Sequence, residues 1–233
     1  MEVYVGTSGW MYDWNKWGNL DWYIRFSGLN AVELNASFYR FPFPNQVRSW
    51  ARKSGSLHWA VKVNRIITHY KRLNTSSYTT FEKFLRLFQP LDDKIDFYLL
   101  QLPPTYRKTP ANIDRLRRFA EKFGLGERLA VEFRHESWFN DDTVSLCGDL
   151  GLTLVSIDSP IGVWIKSSNG VVYLRMHGRS YWYAHEYTEE ELKEDAEKIV
   201  SLKPRKTYVF FNNNHWMLSN ARTMKKILEE SIQ

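Results

Sequence analysis

The feature that most constrains this chain is a period-two alternation whose charged members have no obvious route to water. Apolar and polar residues alternate in Val32-Glu33-Leu34-Asn35, Val61-Lys62-Val63, Val131-Glu132-Phe133-Arg134 and Leu174-Arg175-Met176-His177. Period two is the signature of a strand whose side chains point to opposite faces. On an antiparallel sheet with one wet face, the charges would simply meet solvent. Between these segments, however, the spacing is helical, and strands alternating with helices predict a parallel sheet covered by those helices. The apolar faces then pack on the helices, and Glu33, Asn35, Lys62, Glu132, Arg134, Arg175 and His177 share the other side. In a closed sheet that side is the interior, where ionisable groups are costly unless they pair, hydrogen-bond or serve a ligand.

Eight strand-like segments fall at 3–6, 31–35, 59–63, 96–101, 129–134, 152–157, 171–177 and 207–212. Among the helical stretches, Phe81, Phe84, Leu85 and Phe88 form one apolar face, and Ile113, Leu116, Phe119, Ala120 and Phe123 another. Thr188 and Glu191 have capping-box spacing ahead of Leu192, Ala196, Ile199 and Val200, and a last helix runs through Ala221, Met224, Ile227 and Leu228. The expectation is an α/β protein, a single (β/α)8 TIM barrel of eight parallel strands ringed by helices, with residues 1–233 as one domain. A doubly wound open sheet is the alternative, but no Gly-x-Gly-x-x-Gly follows the first strand. The interior charges lie at the C-terminal strand ends, the face on which barrel enzymes carry their active sites.

Composition narrows the function classes. With 43% apolar and 25% charged residues the chain reads as globular, and no apolar run is long enough to predict a membrane span. The first strand starts at Val3, leaving no room for a signal peptide, and the single Cys147, in a predicted helix over 141–150, has no intrachain partner. Both favour a cytoplasmic home. A net charge of +6 favours anionic partners, although the basic residues are scattered over presumed helix surfaces rather than gathered in a nucleic-acid stripe. Aromatic residues are plentiful, and two groups fall in predicted loops on the charged face: Trp10, Trp14 and Trp17, then Tyr181, Trp182 and Tyr183.

Seven motifs in order carry a family resemblance. They are Gly6-Thr7-Ser8-Gly9-Trp10, Glu33 through Arg40, Val61-Lys62 with Arg65 and Thr68-His69, Gln101-Leu102-Pro103-Pro104, Ala130 through His135 with Ser137-Trp138-Phe139, Tyr173-Leu174-Arg175 with His177-Gly178, and Phe211-Asn212-Asn213. Together they resemble the YecE-like family, domain of unknown function 72, from the first strand to the eighth. The resemblance implies a TIM barrel and carries no reaction with it. Two loops depart from the family pattern: no Phe-Tyr-Pro follows Trp14, and Asn214-His215-Trp216-Met217 lacks the glycine usual after the eighth strand.

The candidate catalytic residues are Glu132, His177 and Glu33. Glu33 ends the second strand and Glu132 the fifth, nearly opposite in an eight-strand ring, so the two carboxylates have glycosidase-like placement. The alternative is simple ion pairing, Glu33 with Lys62 and Glu132 with another interior cation; Arg134 on the same face would hold Glu132 ionised as a base. Lys62, Arg134 and Arg175 converge from three strands as an anion clamp, with Arg65, Arg72 and Arg179 adding charge from the loops. The alternative is a closed ion-pair network without ligand. A lysine of lowered pKa would also suit a Schiff base at Lys62. Asn35, Gln101 and Asn212 offer amides to a substrate, and Trp10 and Tyr181 offer planes to its uncharged part. His69, His135 and His177 with Glu33, Glu132 and Asp158 could hold a divalent metal, although no short ligand spacing supports one. Ser8 lacks a nucleophile elbow. The reading is a hydrolase or lyase acting by acid–base chemistry on an anionic, phosphorylated or nucleotide-like small molecule. Its alternatives are a glycosidase using Glu33 and Glu132, and a non-catalytic nucleotide or single-stranded nucleic-acid binding protein.

Overall fold

The structure is a computed structural model and describes residues 1–231. In chain order its strands are β1 (Glu2–Thr7), β2 (Ala31–Leu34), β3 (His58–Lys62), β4 (Ile95–Gln101), β5 (Leu129–Glu132), β6 (Thr153–Ser159), β7 (Gly162–Trp164), β8 (Val171–Met176) and β9 (Lys206–Phe211). The helices are α1 (Leu20–Phe26), α2 (Ala36–Tyr39), α3 (Pro44–Lys53), α4 (Tyr78–Phe88), α5 (Pro110–Phe123), α6 (Asp141–Asp149), α7 (Glu189–Ser201) and α8 (Met217–Glu230). All strands but β7 are parallel and close into a ring, β1-β2-β3-β4-β5-β6-β8-β9, with β9 returning to β1. The fold is therefore the eight-stranded parallel barrel ringed by helices that the alternation predicts.

The eight barrel strands lie within two residues of their sequence-based bounds. What the sequence does not announce is β7, a three-residue strand folded back antiparallel on the end of β6. Pro160 and Gly162 read as a turn, and three residues are too few to show a period. Among the described residues, no helix is long and apolar enough to cross a membrane.

Two apolar cores flank the strands. Outside the ring, Val32, Leu34, Val61, Val131, Phe133, Leu174 and Met176 pack with helix residues such as Phe81, Phe84, Leu116, Phe119, Leu192 and Met224. Inside, Ala31, Ala60 and Ala130 leave room for Phe97, Tyr173, Tyr208 and Phe210. The Phe97 and Tyr208 rings meet edge to face at 4.7 Å, and Phe97 and Tyr173 lie 5.1 Å apart. This aromatic plug fills the interior below the charged positions, which therefore gather at the C-terminal end of the barrel. Small residues on some strands and rings on others keep the interior close-packed.

Gly6 shows how tight the ring is. A Cβ at this position would sit 2.2 Å from the Ala31 carbonyl oxygen and 2.6 Å from its carbonyl carbon, backbone atoms that cannot rotate away. Gly6→Ala should force β1 and β2 apart and cost on the order of 1–3 kcal/mol or more, as overpacking does, read as a lowered urea midpoint. An unchanged midpoint would show that the ring yields there.

Candidate functional site

Arg175 is the centre of the interior charges. It is fully buried on β8 and reaches across the barrel, with Nε donating to Glu33 Oε2 at 2.8 Å and Nη2 to Glu33 Oε1 at 2.5 Å. Its Nη1 donates to Glu132 Oε2, also at 2.5 Å. Glu33 further accepts the Ser8 hydroxyl at 2.9 Å and the Tyr173 hydroxyl at 2.6 Å. Glu132 accepts Arg134 Nε on its other oxygen. Burial alone would raise the Glu132 carboxyl, but Arg134 and Arg175 outweigh it and hold the group well below the ordinary carboxylate range. Glu33 thus pairs with Arg175, not with Lys62. All three guanidinium nitrogens of Arg175 are engaged by the two glutamates.

Arg134 continues the network. Its Nη2 lies 2.9 Å from His177 Nε2, and the Trp182 ring covers its guanidinium at 4.5 Å. His177 is fully buried, and burial together with the charges of Arg134 and Arg175 presses its imidazole well below the usual range. His177 Nδ1 lies 3.3 Å from the Asn212 amide nitrogen. Trp182 and Tyr183 close over His177 at 5.6 and 5.9 Å.

The loop that carries those two rings is tied down at both ends. The Gly178 amide donates to the Tyr187 hydroxyl at 2.7 Å, and that hydroxyl donates to Asp158 at 2.9 Å. Arg179 is bound by Asp158 and Glu194 at 2.8 Å each and by Asp195 at 3.1 Å. Arg179 therefore does not add its charge to the mouth, as the sequence suggests; its own carboxylates take it. Gly178 has φ 101°, and a Cβ there would meet the Tyr181 carbonyl oxygen at 2.4 Å.

Lys62 stands apart from this network. Its Nζ sits 4.3 Å from the centre of the Phe38 ring, and among the described residues it has neither a carboxylate partner nor a hydrogen bond. The residue is only 9% exposed. Burial, then the Arg175 charge, pushes its amine down to about 7, with Glu132 and Glu33 opposing only in part. His69 follows β3 in a π-helical turn (Ile66–Tyr70) and meets Phe38 edge to face at 4.9 Å. Burial and the charges of Lys62, Arg134, Arg65 and Arg72 bring its imidazole down to about 4. The same loop holds Arg72 and Leu73 at φ 48° and 59°, a left-handed conformation that costs energy for residues with a Cβ. Arg65 lies 5.8 Å from each of the exposed rings of Tyr39 and Tyr70.

The remaining candidates are spread around the mouth. Asn35 precedes α2, lies 3.5 Å from Arg175 Nη2, and lines a cavity of about 180 Å³ with Ser8, Trp10, Met11 and Tyr12. Gln101 ends β4 in register with Glu132. Trp10 is 6% exposed and edge-on to Trp50 and Trp59, so most of it belongs to the core, whereas Tyr181 is 72% exposed. Among the described residues, no group of three or more His, Cys, Asp or Glu is placed to hold a metal ion. His69 bonds Thr68 and His135 bonds Ser137 instead. Sequence reasoning passed over Tyr173, although it shares the inward parity of Arg175 and His177. It also passed over Phe38, whose place beneath Lys62 has no periodic signal.

A closed ring of eight parallel strands surrounded by helices places the chain among TIM-barrel proteins. Residues 4–233 match the family described as protein of unknown function DUF72, and the chain belongs to that family. It is 31% identical over 143 residues to the UPF0759 protein YecE of Escherichia coli K12, covering 59% of this chain and 50% of that relative. The chain thus spans about half the length of the curated relatives it matches. A DUF72 family protein from Thermotoga maritima MSB8 superposes with TM-score 0.83 at 28% identity, covering 100% of this chain and 99% of that one. One from Enterococcus faecalis V583 gives TM-score 0.87 at 21% identity, covering 97% and 95%, a likeness of fold alone.

Two measurements test this electrostatic account. Arg175→Ala would leave two buried glutamates without their shared cation, and should cost roughly 3–5 kcal/mol in urea unfolding. A lysine whose amine falls from 10.5 to about 7 on folding gives up its proton earlier in the native state than in the unfolded one. The unfolded chain then binds more protons between those two values. Wild-type stability relative to Lys62→Met should therefore rise with pH across that window, at up to about 1.4 kcal/mol per pH unit. A flat difference would mean that Lys62 keeps an ordinary amine.

Proposed function

We propose that this chain is an enzyme, a hydrolase or lyase, acting by acid–base chemistry on a small anionic substrate at the C-terminal barrel mouth. The observation that carries this reading is the distribution of charge there. Arg175 and Arg134 take both glutamates, while Lys62 has no carboxylate and acts with Arg134, Arg65 and Arg72 on one imidazole, that of His69. A site whose acids are taken by two guanidinia, with Lys62 left without a carboxylate, favours an anion.

In this reading Arg134, Arg65 and Arg72 hold the anionic group, and Arg175 holds the two glutamates in place beneath. Glu132, kept ionised, is the general base, and neutral His177, whose Nε2 accepts from Arg134, is the second acid–base group. Asn35, Gln101 and Asn212 are the amides nearest the mouth. The exposed rings of Tyr39, Tyr70 and Tyr181 suit a nucleobase or sugar, so a phosphorylated or nucleotide-like substrate fits best. A cytoplasmic setting agrees with the lone Cys147, which is buried.

A glycosidase using Glu33 and Glu132 needs one carboxyl protonated and both facing the sugar. Here both are buried on one guanidinium, and Glu132 is held ionised. The exposed tyrosines leave a non-catalytic nucleotide or single-stranded nucleic-acid binder as the second reading. It predicts a steep fall of affinity with salt along oligonucleotide length.

Thermal unfolding with phosphate, sugar phosphates, nucleotides, oligonucleotides and neutral sugars separates these readings. An anion at 100 times its dissociation constant should stabilise the protein by about 2.7 kcal/mol. Arg65→Ala with Arg72→Ala should weaken that anion about tenfold or more, the value of one charge-assisted contact. Stabilisation by neutral sugars alone would favour the glycosidase, and no response to any anion would remove the basis of the proposal.

A further inference from the structure

Lys62 is the buried mouth cation for which, among the described residues, the fold supplies an aromatic ring and no acid. An ammonium carries three donors and needs acceptors or water to offset its charge. Around Lys62 the fold places the Phe38 face at 4.3 Å, together with the guanidinium charges of Arg175 and Arg134. Burial and the two guanidinium charges favour the neutral amine, the nucleophilic form, against the pull of the Phe38 face on the ammonium. The arginines of the mouth stay charged at any working pH. Labour can therefore divide: arginines hold an anionic group while the lysine reacts.

We propose that Lys62 is an amine nucleophile that forms a Schiff base with the carbonyl of a small anionic aldehyde or ketone. The proposal rests on the anionic-substrate reading and names the functional group that such a substrate carries. In the step itself, the Lys62 nitrogen lone pair forms a bond to the carbonyl carbon, and the C=O π electrons move to oxygen. That oxygen takes two protons in turn and leaves as water, and the nitrogen lone pair closes the C=N bond. Written from the ammonium, R–NH3⁺ and O=C give R–NH⁺=C and water, so atoms and charge balance without a further reactant. The iminium keeps one positive charge where the ammonium had one. It can also draw electrons from a neighbouring C–H or C–C bond, which is the chemistry of a lyase with Glu132 as proton acceptor.

The test is reductive trapping on the intact protein at pH 7.5 with sodium cyanoborohydride, using pyruvate and glyceraldehyde 3-phosphate as probes and uncharged glyceraldehyde as control. An amine near 7 is roughly several hundred-fold richer in its neutral form at that pH than an exposed lysine near 10.4. The expected result is one adduct per chain, mapped by peptide mass to Lys62 and absent in Lys62→Arg. Labelling by one of the charged probes should outpace glyceraldehyde tenfold or more, and which of them does so separates a keto acid from a phosphorylated aldehyde. Adducts spread over surface lysines with the Lys62 peptide unmodified would overturn the Schiff base. If phosphate still stabilises that protein, the anionic-substrate reading survives alone; if no anion does, both fail. Equal labelling by glyceraldehyde would overturn the requirement for an anionic group.

Discussion

The guanidinium of Arg175 bridges Glu33 and Glu132 across the barrel interior, and the arrangement of the mouth follows from that bridge. It joins β2, β5 and β8 through charges that are all fully buried. Two carboxylates next to two guanidinia, those of Arg175 and Arg134, leave the buried set electrically balanced. Balance matters here because an unpaired charge at this depth would cost several kcal/mol. Apolar residues of similar volume often make a core at least as stable as a buried ion network. A network of this size at the C-terminal end of a barrel therefore speaks for positioning rather than for stability alone.

The layers above and below give the network its surroundings. Below it, the aromatic plug of Phe97, Tyr173, Tyr208 and Phe210 keeps water out, and the Tyr173 hydroxyl reaches up to Glu33. Above it, Trp182 lies on Arg134, and Tyr183 adjoins His177. The loop that carries them is anchored through Tyr187 and Arg179 to Asp158, on the outward face of β6. In so dry a setting each contact is stronger than in water, and each missing partner is costlier. Lys62 and His69, on the β3 side, are where charge is left uncompensated, and both are pushed toward their neutral forms.

Much of this was legible in the linear chain, though unevenly. The period-two strands placed Glu33, Lys62, Glu132, Arg134, Arg175 and His177 on one face, because strand geometry sends alternate residues to the same side regardless of what surrounds them. The same rule covers Tyr173, which was overlooked because tyrosine in a strand reads as core. β7 was not legible, since a three-residue strand has no period. The neighbours of Arg179 and Trp10 were not legible for one reason: both lie in loops, where sequence order says nothing about which neighbour arrives first. Arg179 met Asp158, Glu194 and Asp195, and Trp10 met Trp50 and Trp59.

The sequence by itself determined the architecture and the inventory: a closed parallel barrel with its ionisable residues at the C-terminal strand ends. Those follow from local rules of period, capping and helix–strand alternation, which act within a few residues of each other. Only the tertiary structure decided the pairing. Glu33 had cations on β3, just after β5 and on β8 available to it, and which one it met depended on the tilt of the strands and the reach of each side chain. Arg175 is long enough to cross the ring and planar enough to engage two carboxylates at once, so it took both. Lys62 was left against the Phe38 ring, a consequence of distances in space that no spacing along the chain encodes.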